Sequence, residues 1–273
     1  TPLHVAARFG RNVVIRLLLR YKADINARDL TGGTPLMIAV VSQQRGTTKL
    51  LIEKGANVND SDSVGATPLH FAIYDSIEAI EYLLSTGADA NAADTFGDTP
   101  LTALAVSLLL RKGADPSARC EHPQFPTPLW AAYAAKDRGI AELLLQHGAD
   151  PDGEGEDRRT ILHHGWERES EAWTELLLSG GEGLWKRADP RKEDGSGYEP
   201  IHWAVRSNRA RVVEILKEGG ACLDVRDRKE GLTPLIMALR PAVNTPMVMR
   251  LLNLGADWAT KDEEGKDAFF HAV

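Results

Sequence analysis

Histidine is the side chain best placed to move protons near neutral pH, and this chain carries eight of them. Four share one register: Thr1-Pro2-Leu3-His4, Thr67-Pro68-Leu69-His70, Thr160-Ile161-Leu162-His163 and Glu199-Pro200-Ile201-His202. A catalytic histidine is singular, whereas one that recurs at a fixed place in a repeated segment serves the repeat. Cys120-Glu121-His122 is the one Cys/His proximity, and no second pair offers zinc spacing. Gly153-Glu154-Gly155 and Gly195-Ser196-Gly197 lack the further glycine of a dinucleotide fingerprint and the Gly-Lys-Ser/Thr of a phosphate loop. No Gly-x-Ser-x-Gly or His-Glu-x-x-His segment occurs, so activated nucleophiles and metal hydrolase sites have no support. No catalytic residue, metal or cofactor is expected.

Two charged stretches invite a binding role. The run Asp150-Pro151-Asp152-Gly153-Glu154-Gly155-Glu156-Asp157 reads either as a solvated charge block or as an acidic surface, through Asp152, Glu154, Glu156 and Asp157, that steers a basic peptide. Gly183-Leu184-Trp185-Lys186-Arg187-Ala188-Asp189-Pro190-Arg191-Lys192 places an aromatic among cations. It reads either as a binding loop or as a cheap surface insertion.

The elements that must position these residues are set by a period. Thr-Pro-Leu segments begin at Thr1, Thr34, Thr67, Thr99, Thr127 and Thr233, with degenerate copies at Thr160, Glu199 and Asp267. Successive starts lie 33, 33, 32, 28, 33, 39, 34 and 34 residues apart. In each copy the Thr suits a helix N-cap and the Pro the first helical position, where it forfeits no hydrogen bond. A short helix follows, as at Leu69 to Tyr74, then a second apolar one, as at Ile77 to Leu84. Gly55, Gly87, Gly113 and Gly148 stand where a left-handed residue ends the second helix. Segments such as Asp62-Ser63-Val64-Gly65, Asp94-Thr95-Phe96-Gly97, Asp194-Gly195-Ser196-Gly197 and Asp262-Glu263-Glu264-Gly265 then carry turn chemistry.

A Thr-Pro-Leu-His core repeated at about 33 residues resembles the ankyrin repeat. The resemblance implies an all-α solenoid of helix-turn-helix units joined by β-turn or hairpin fingers. It covers residues 1–273 as a single array of about eight repeats and a partial ninth. Two irregularities stand out: a shortened repeat over 99–126, whose finger lacks the Asp-x-x-Gly turn, and a loop insertion near 183–197. The first reads as neutral drift or as a kink that shapes a pocket. In ankyrin repeats the motif histidine bonds around the Thr and to the neighbouring finger, a role carried here onto His4, His70, His163 and His202. Met37, Thr102, Trp130, Ile236 and Phe270 hold the same register, so that bond is expected to be lost there. Asn26, Asn59 and Asn91 resemble positions that are hydroxylated in some ankyrin proteins.

Composition narrows the partners. The net charge is −7, from 39 acidic and 32 basic residues, which argues against a nucleic-acid face. No apolar run reaches the roughly 18 residues of a membrane span. Cys120 and Cys222 lie three repeats apart, roughly 30 Å if layers stack about 8–10 Å from one another, too far to pair. Unpaired thiols suggest a reducing, intracellular setting, cytoplasmic or nuclear. Because the chain opens on a helix start and stops inside the ninth unit, it reads as a segment of something longer.

Ankyrin proteins usually bind through finger tips and the exposed side of the first helix, which implies a protein or peptide partner here. Mapped onto this sequence, that face carries Phe9, Tyr74, Asp75, Phe96, Arg168, Tyr198 and Arg206. Exposed aromatics and Arg are the usual energetic anchors of interfaces, and Phe9, Tyr74, Phe96 and Tyr198 occupy positions that packing leaves free. Trp130, Trp166 and Trp203 read as packing residues. The expected function is a non-catalytic interaction scaffold. Its rivals are a regulatory or targeting module of a larger enzyme, channel or receptor, and an enzyme with its site inside the array.

Overall fold

The computed structural model describes residues 1–72, 77–100, 106–120, 126–164, 170–240 and 243–272. All regular structure among them is helical, and the segments between helices are turns. The chain divides into two compact units, Thr1–His122 and Pro123–Val273.

In the first unit, helix pairs α1 (Pro2–Arg8) and α2 (Asn12–Arg20), α3 (Pro35–Val41) and α4 (Arg45–Glu53), and α5 (Pro68–Ala72) and α6 (Ile77–Ser85) are followed by α7 (Val106–Arg111). The shortened repeat over 99–126 lies partly outside the described residues. In the second unit, α8 (Pro128–Ala134) pairs with α9 (Arg138–Gln146), and a 3-10 turn at Ile161–His164 with α10 (Ser170–Ser179). Then come α11 (Pro200–Arg206) with α12 (Ala210–Glu218), α13 (Pro234–Ala238) with α14 (Thr245–Asn253), and α15 (Ala268–Ala272). Among the described residues the helices run at most ten residues, below the roughly 12–15 at which an isolated helix holds in water. Each is sustained by burial against its neighbours. Leu3, Leu36 and Leu69 occupy one register and are almost wholly buried, as are Leu129, Ile201 and Leu235.

Local chemistry follows the motif. The Thr34, Thr127 and Thr233 hydroxyls accept the amides of Met37, Trp130 and Ile236 at 3.3, 3.4 and 3.3 Å. Gly55, Gly87, Gly113 and Gly148 take φ of +92°, +97°, +88° and +93° after their helices. In the fingers, Asp62 Oδ1 accepts from the Val64 and Ala66 amides, Asp94 Oδ1 from Phe96 and Asp98, and Asp194 Oδ1 from Ser196 and Tyr198. Successive fingers are tied by backbone bonds, Ser63 N–H to Thr31 O and Thr95 N–H to Val64 O, each 2.9 Å. A Cβ at Gly65 would lie 2.9 Å from Asp94 Cα, so this approach requires glycine.

Three motif histidines span consecutive repeats. Nδ1 of His70 and of His163 accepts the backbone amide of its own Thr at 3.0 Å. The opposite nitrogen, Nε2, donates to the next finger: His4 to Gly33 O (2.9 Å), His70 to Asp98 O (3.0 Å), His163 to Tyr198 O (3.1 Å). Two expectations need correction here. His202 Nδ1 accepts the Glu199 amide at 3.0 Å, but its Nε2 is buried without a hydrogen-bond partner among the described residues, so the expected bond to the next finger is not made. Trp130 does not forfeit the bond, because its indole Nε1 donates to Gly153 O at 2.9 Å in the histidine's place. A second row of staples comes from side-chain oxygens that accept the amide of the following repeat. These are Asn26 to Asn57, Asn59 to Asp89, Asn91 to Asp115, Asp152 to Asp189 and Asp224 to Asp257. The three asparagines singled out for modification are thus inter-repeat linkers.

Burial pushes His163 down to about 4, outweighing the Tyr198 carbonyl and the Asp194 charge, which pull the other way. The unfolded chain therefore takes up this proton first. The stability supplied by neutral His163 is complete above about pH 6.5 and drains away as pH falls toward 4. His163→Leu should cost about 1–3 kcal/mol at pH 7, by leaving the Thr160 amide and Tyr198 carbonyl unpaired, and should flatten urea midpoints measured between pH 6.5 and 4. Glu199 behaves oppositely. It caps α11 where other repeats have Thr, its Oε2 is buried without a hydrogen-bond partner, and burial, with Glu193, raises its carboxyl to about 7. Its contribution is full below about pH 4.5 and lost as pH rises through 7. Glu199→Thr should raise the urea midpoint more at pH 8 than at pH 4.5.

Candidate partner-binding face

In the first unit the exposed apolar residues stand mainly on finger tips and on the first repeat, with Val41 and Ile77 on later helices. Leu30 and Phe96 project from fingers, Phe96 with 57 % of its surface exposed, on tips that the Asp29 and Asp94 carboxylates hold rigid. Phe9 lies just past α1 beside Pro2, Val5 and Val14 in a cleft of about 510 Å³, with the Arg8 guanidinium 5.8 Å from its ring centre. Phe96 does not line that cleft. Tyr74, Asp75 and Arg168, and Trp166 with them, fall outside the described residues.

In the second unit the expected residues Tyr198 and Arg206 come together. Tyr198 ends a finger, held by its amide to Asp194 Oδ1 at 3.0 Å, and Arg206 ends α11. The Arg206 guanidinium lies over two rings, 4.8 Å from the centre of Trp203 and 5.6 Å from that of Tyr198. Arg159 lies 4.2 Å over Trp203. Together with Lys229, Glu230 and Arg240 they line an open cleft of about 570 Å³. Trp203 is half-buried and forms one wall of the cleft, so its reading as a packing residue is corrected. Its indole N–H donates to Asp194 Oδ2 at 2.9 Å, which fixes the ring edge-on to Tyr198. The signal available in the sequence was its place one residue after the motif histidine, one turn before Arg206. Trp130, by contrast, is a packing residue, in edge contact with Tyr133 and His164. Burial alone would push Asp194 up, yet the Tyr198 and Ser196 amides and the Trp203 indole hold its carboxyl below the ordinary range. Asp194 is therefore the ionised post on which finger, indole and Arg159 converge.

The two charged stretches answer each other. Lys186 of the insertion sits 3.0 Å from Asp150 and 2.9 Å from Asp152. Lys192 reaches Glu154 Oε1 at 3.2 Å and the Asp152 carbonyl at 2.8 Å. Burial tends to raise Asp150 and Glu154, but Lys186 for the one, and Lys192 with Arg158 for the other, keep both below their usual values. Asp152 is buried and serves as the inter-repeat linker already described. Of the four acidic finger candidates, Glu156 and Asp157 are exposed, and Asp157 lies 3.8 Å from Arg159. Among the described residues no group of three or more His, Cys, Asp or Glu side chains could hold a metal. No described helix is long and apolar enough to cross a membrane.

Residues 1–62 and 174–262 match the family pattern described as ankyrin repeats (3 copies), residues 51–102 that of ankyrin repeats (many copies), and residues 127–154 that of the ankyrin repeat. The chain belongs to the ankyrin repeat family, a protein-protein interaction fold that is generally non-catalytic. It is similar to the mouse ankyrin repeat and SOCS box protein 6, 40 % identical over 76 residues, 28 % of this chain and 18 % of that protein. It is 32 % identical to the zebrafish neurogenic locus notch homolog protein 1 over 134 residues, 49 % of this chain and 5 % of that one. To the Neurospora crassa ankyrin repeat protein nuc-2 it is 30 % identical over 154 residues, 56 % of this chain and 14 % of that one. The chain thus spans less than a fifth of each of these curated relatives.

If the insertion serves chiefly as a clamp on the acidic finger, Lys186→Ala with Lys192→Ala should lower stability by about 0.5–1 kcal/mol, as exposed ion pairs do. The loss should shrink in high salt and be accompanied by faster hydrogen exchange at the Asp189 amide.

Proposed function

We propose that the chain is a non-catalytic scaffold that binds a protein or peptide along its finger tips and first helices. The Tyr198, Trp203 and Arg206 cleft is its anchor in the second unit, with Phe9 and Phe96 as contact residues in the first. The observation that carries this reading is a guanidinium spread over two rings in an open cleft. Cations placed over aromatic faces gain energy without closing the surface, and Trp, Tyr and Arg are the residue types that dominate interface energetics. A volume of about 570 Å³ falls within the range of roughly 300–1,000 Å³ typical of small-ligand pockets, enough for a few side chains of an extended segment.

A second reading is that this scaffold acts as the interaction module of a larger protein. It is favoured by the small share of each relative that the chain spans. Both readings place recognition on the same face.

The test is capture of partners on the immobilised chain, compared with Tyr198→Ala/Trp203→Ala and, separately, with Phe9→Ala/Phe96→Ala. The first pair should weaken a captured partner by about 2 kcal/mol or more, roughly thirtyfold in Kd, with circular dichroism unchanged. Full retention by both variants would reject this face.

A further inference from the structure

We infer that the second-unit cleft receives an acidic peptide segment, with a partner carboxylate seated between Arg206 and Lys229. This deepens the proposed function and rests on its assignment of the cleft as a partner-binding site.

The argument begins with charge. The whole chain carries −7, yet the cleft is lined by four cations, Arg159, Arg206, Lys229 and Arg240, against the single carboxylate of Glu230. Two of the cations are already engaged. Arg159 lies near Asp194 and Asp157 at 3.5 and 3.8 Å, and Arg240 reaches Glu230 at 3.3 Å. Arg206 and Lys229 are exposed, and neither side chain has an ion pair among the described residues.

Geometry then selects the ligand. The Arg206 guanidinium, 4.8 and 5.6 Å from the two ring centres, has a planar fork of N–H donors that matches a carboxylate through two parallel bonds. Contact with the Trp203 and Tyr198 rings also limits the motion of Arg206 before any partner arrives, which reduces the entropy lost on binding. Trp203 is itself pinned by Asp194. A long polyanion such as a nucleic acid fits less well. It would meet Glu230 in the cleft itself and the exposed Glu156 and Asp157 outside it, on a chain of net negative charge. A short acidic segment satisfies the local cations without that repulsion.

The experiment uses the full chain and fluorescein-labelled peptides of alternating Glu and Gly, Gln and Gly, or Lys and Gly, read by anisotropy, with oligo-dT as competitor. The Glu peptide should bind most tightly and weaken as salt rises. Arg206→Gln and Lys229→Gln should each lower its affinity about tenfold. Both substitutions lie on the surface, so circular dichroism and the urea midpoint should not change. Equal binding of Glu and Gln peptides, no binding of the Glu peptide, or tighter binding of oligo-dT would overturn the inference. If the Gln peptide binds equally and Tyr198→Ala weakens it, the cleft remains a binding site and only its charge preference falls. If Tyr198→Ala leaves every peptide unaffected, the assignment of the cleft falls too.

Discussion

The structure depends on hydrogen bonds that cross from one repeat to the next. Helices of five to ten residues have too little local stability to persist alone, so a repeat gains its shape from its neighbours. Burial of leucines supplies most of the energy but little geometry, since apolar contact is not directional. Direction comes from the imidazole that accepts its own Thr amide through Nδ1 and donates through Nε2 to the next finger. A ring with an acceptor on one side and a donor on the other must be neutral and in one tautomer. Burial enforces this at His163 by disfavouring the charged form. The Asn and Asp linkers repeat the device nearer the surface, with an amide as donor.

Because the backbone is held from within, the tips are available for other work. In the Asp-x-x-Gly fingers the Asp carboxylate accepts two amides and fixes the turn, while the residues between them face solvent. This is why Phe96 and Leu30 can be exposed without loosening the fold. The same economy explains the charged stretches of the second unit. Lys186 and Lys192 approach Asp150, Asp152 and Glu154 closely enough to neutralise much of the acidic run. The stretch that reads as an electrostatic lure is largely compensated by its own chain, whereas Arg206 and Lys229 line the second-unit cleft without an ion pair among the described residues.

Arg206 stands beside the Tyr198 and Trp203 rings. Asp194 closes its finger, holds the Trp203 indole and lies close to Arg159. One buried carboxylate thus couples the fold to the candidate site. Tyr198 plays both parts as well: its carbonyl receives His163 and its ring supports Arg206. The groups that line the cleft are thus fixed by the inter-repeat network before any partner is bound.

Much of this was legible in the residues. The Thr-Pro-Leu period, the terminal glycines and the Asp-x-x-Gly turns are local signals, each tied to a backbone conformation that a few residue types favour. They determine the helical class, the placing of the fingers and the structural role of the histidines. Tyr198 and Arg206 could be named because their register puts them on an outward face. What depends on contacts between residues 20 to 40 positions apart could not be read so directly. That Trp130 replaces a histidine as donor and that Lys186 meets Asp152 follow from which side chains reach one another across repeats. Period fixes the address of a residue within its own repeat; only the packed neighbour decides what its side chain touches.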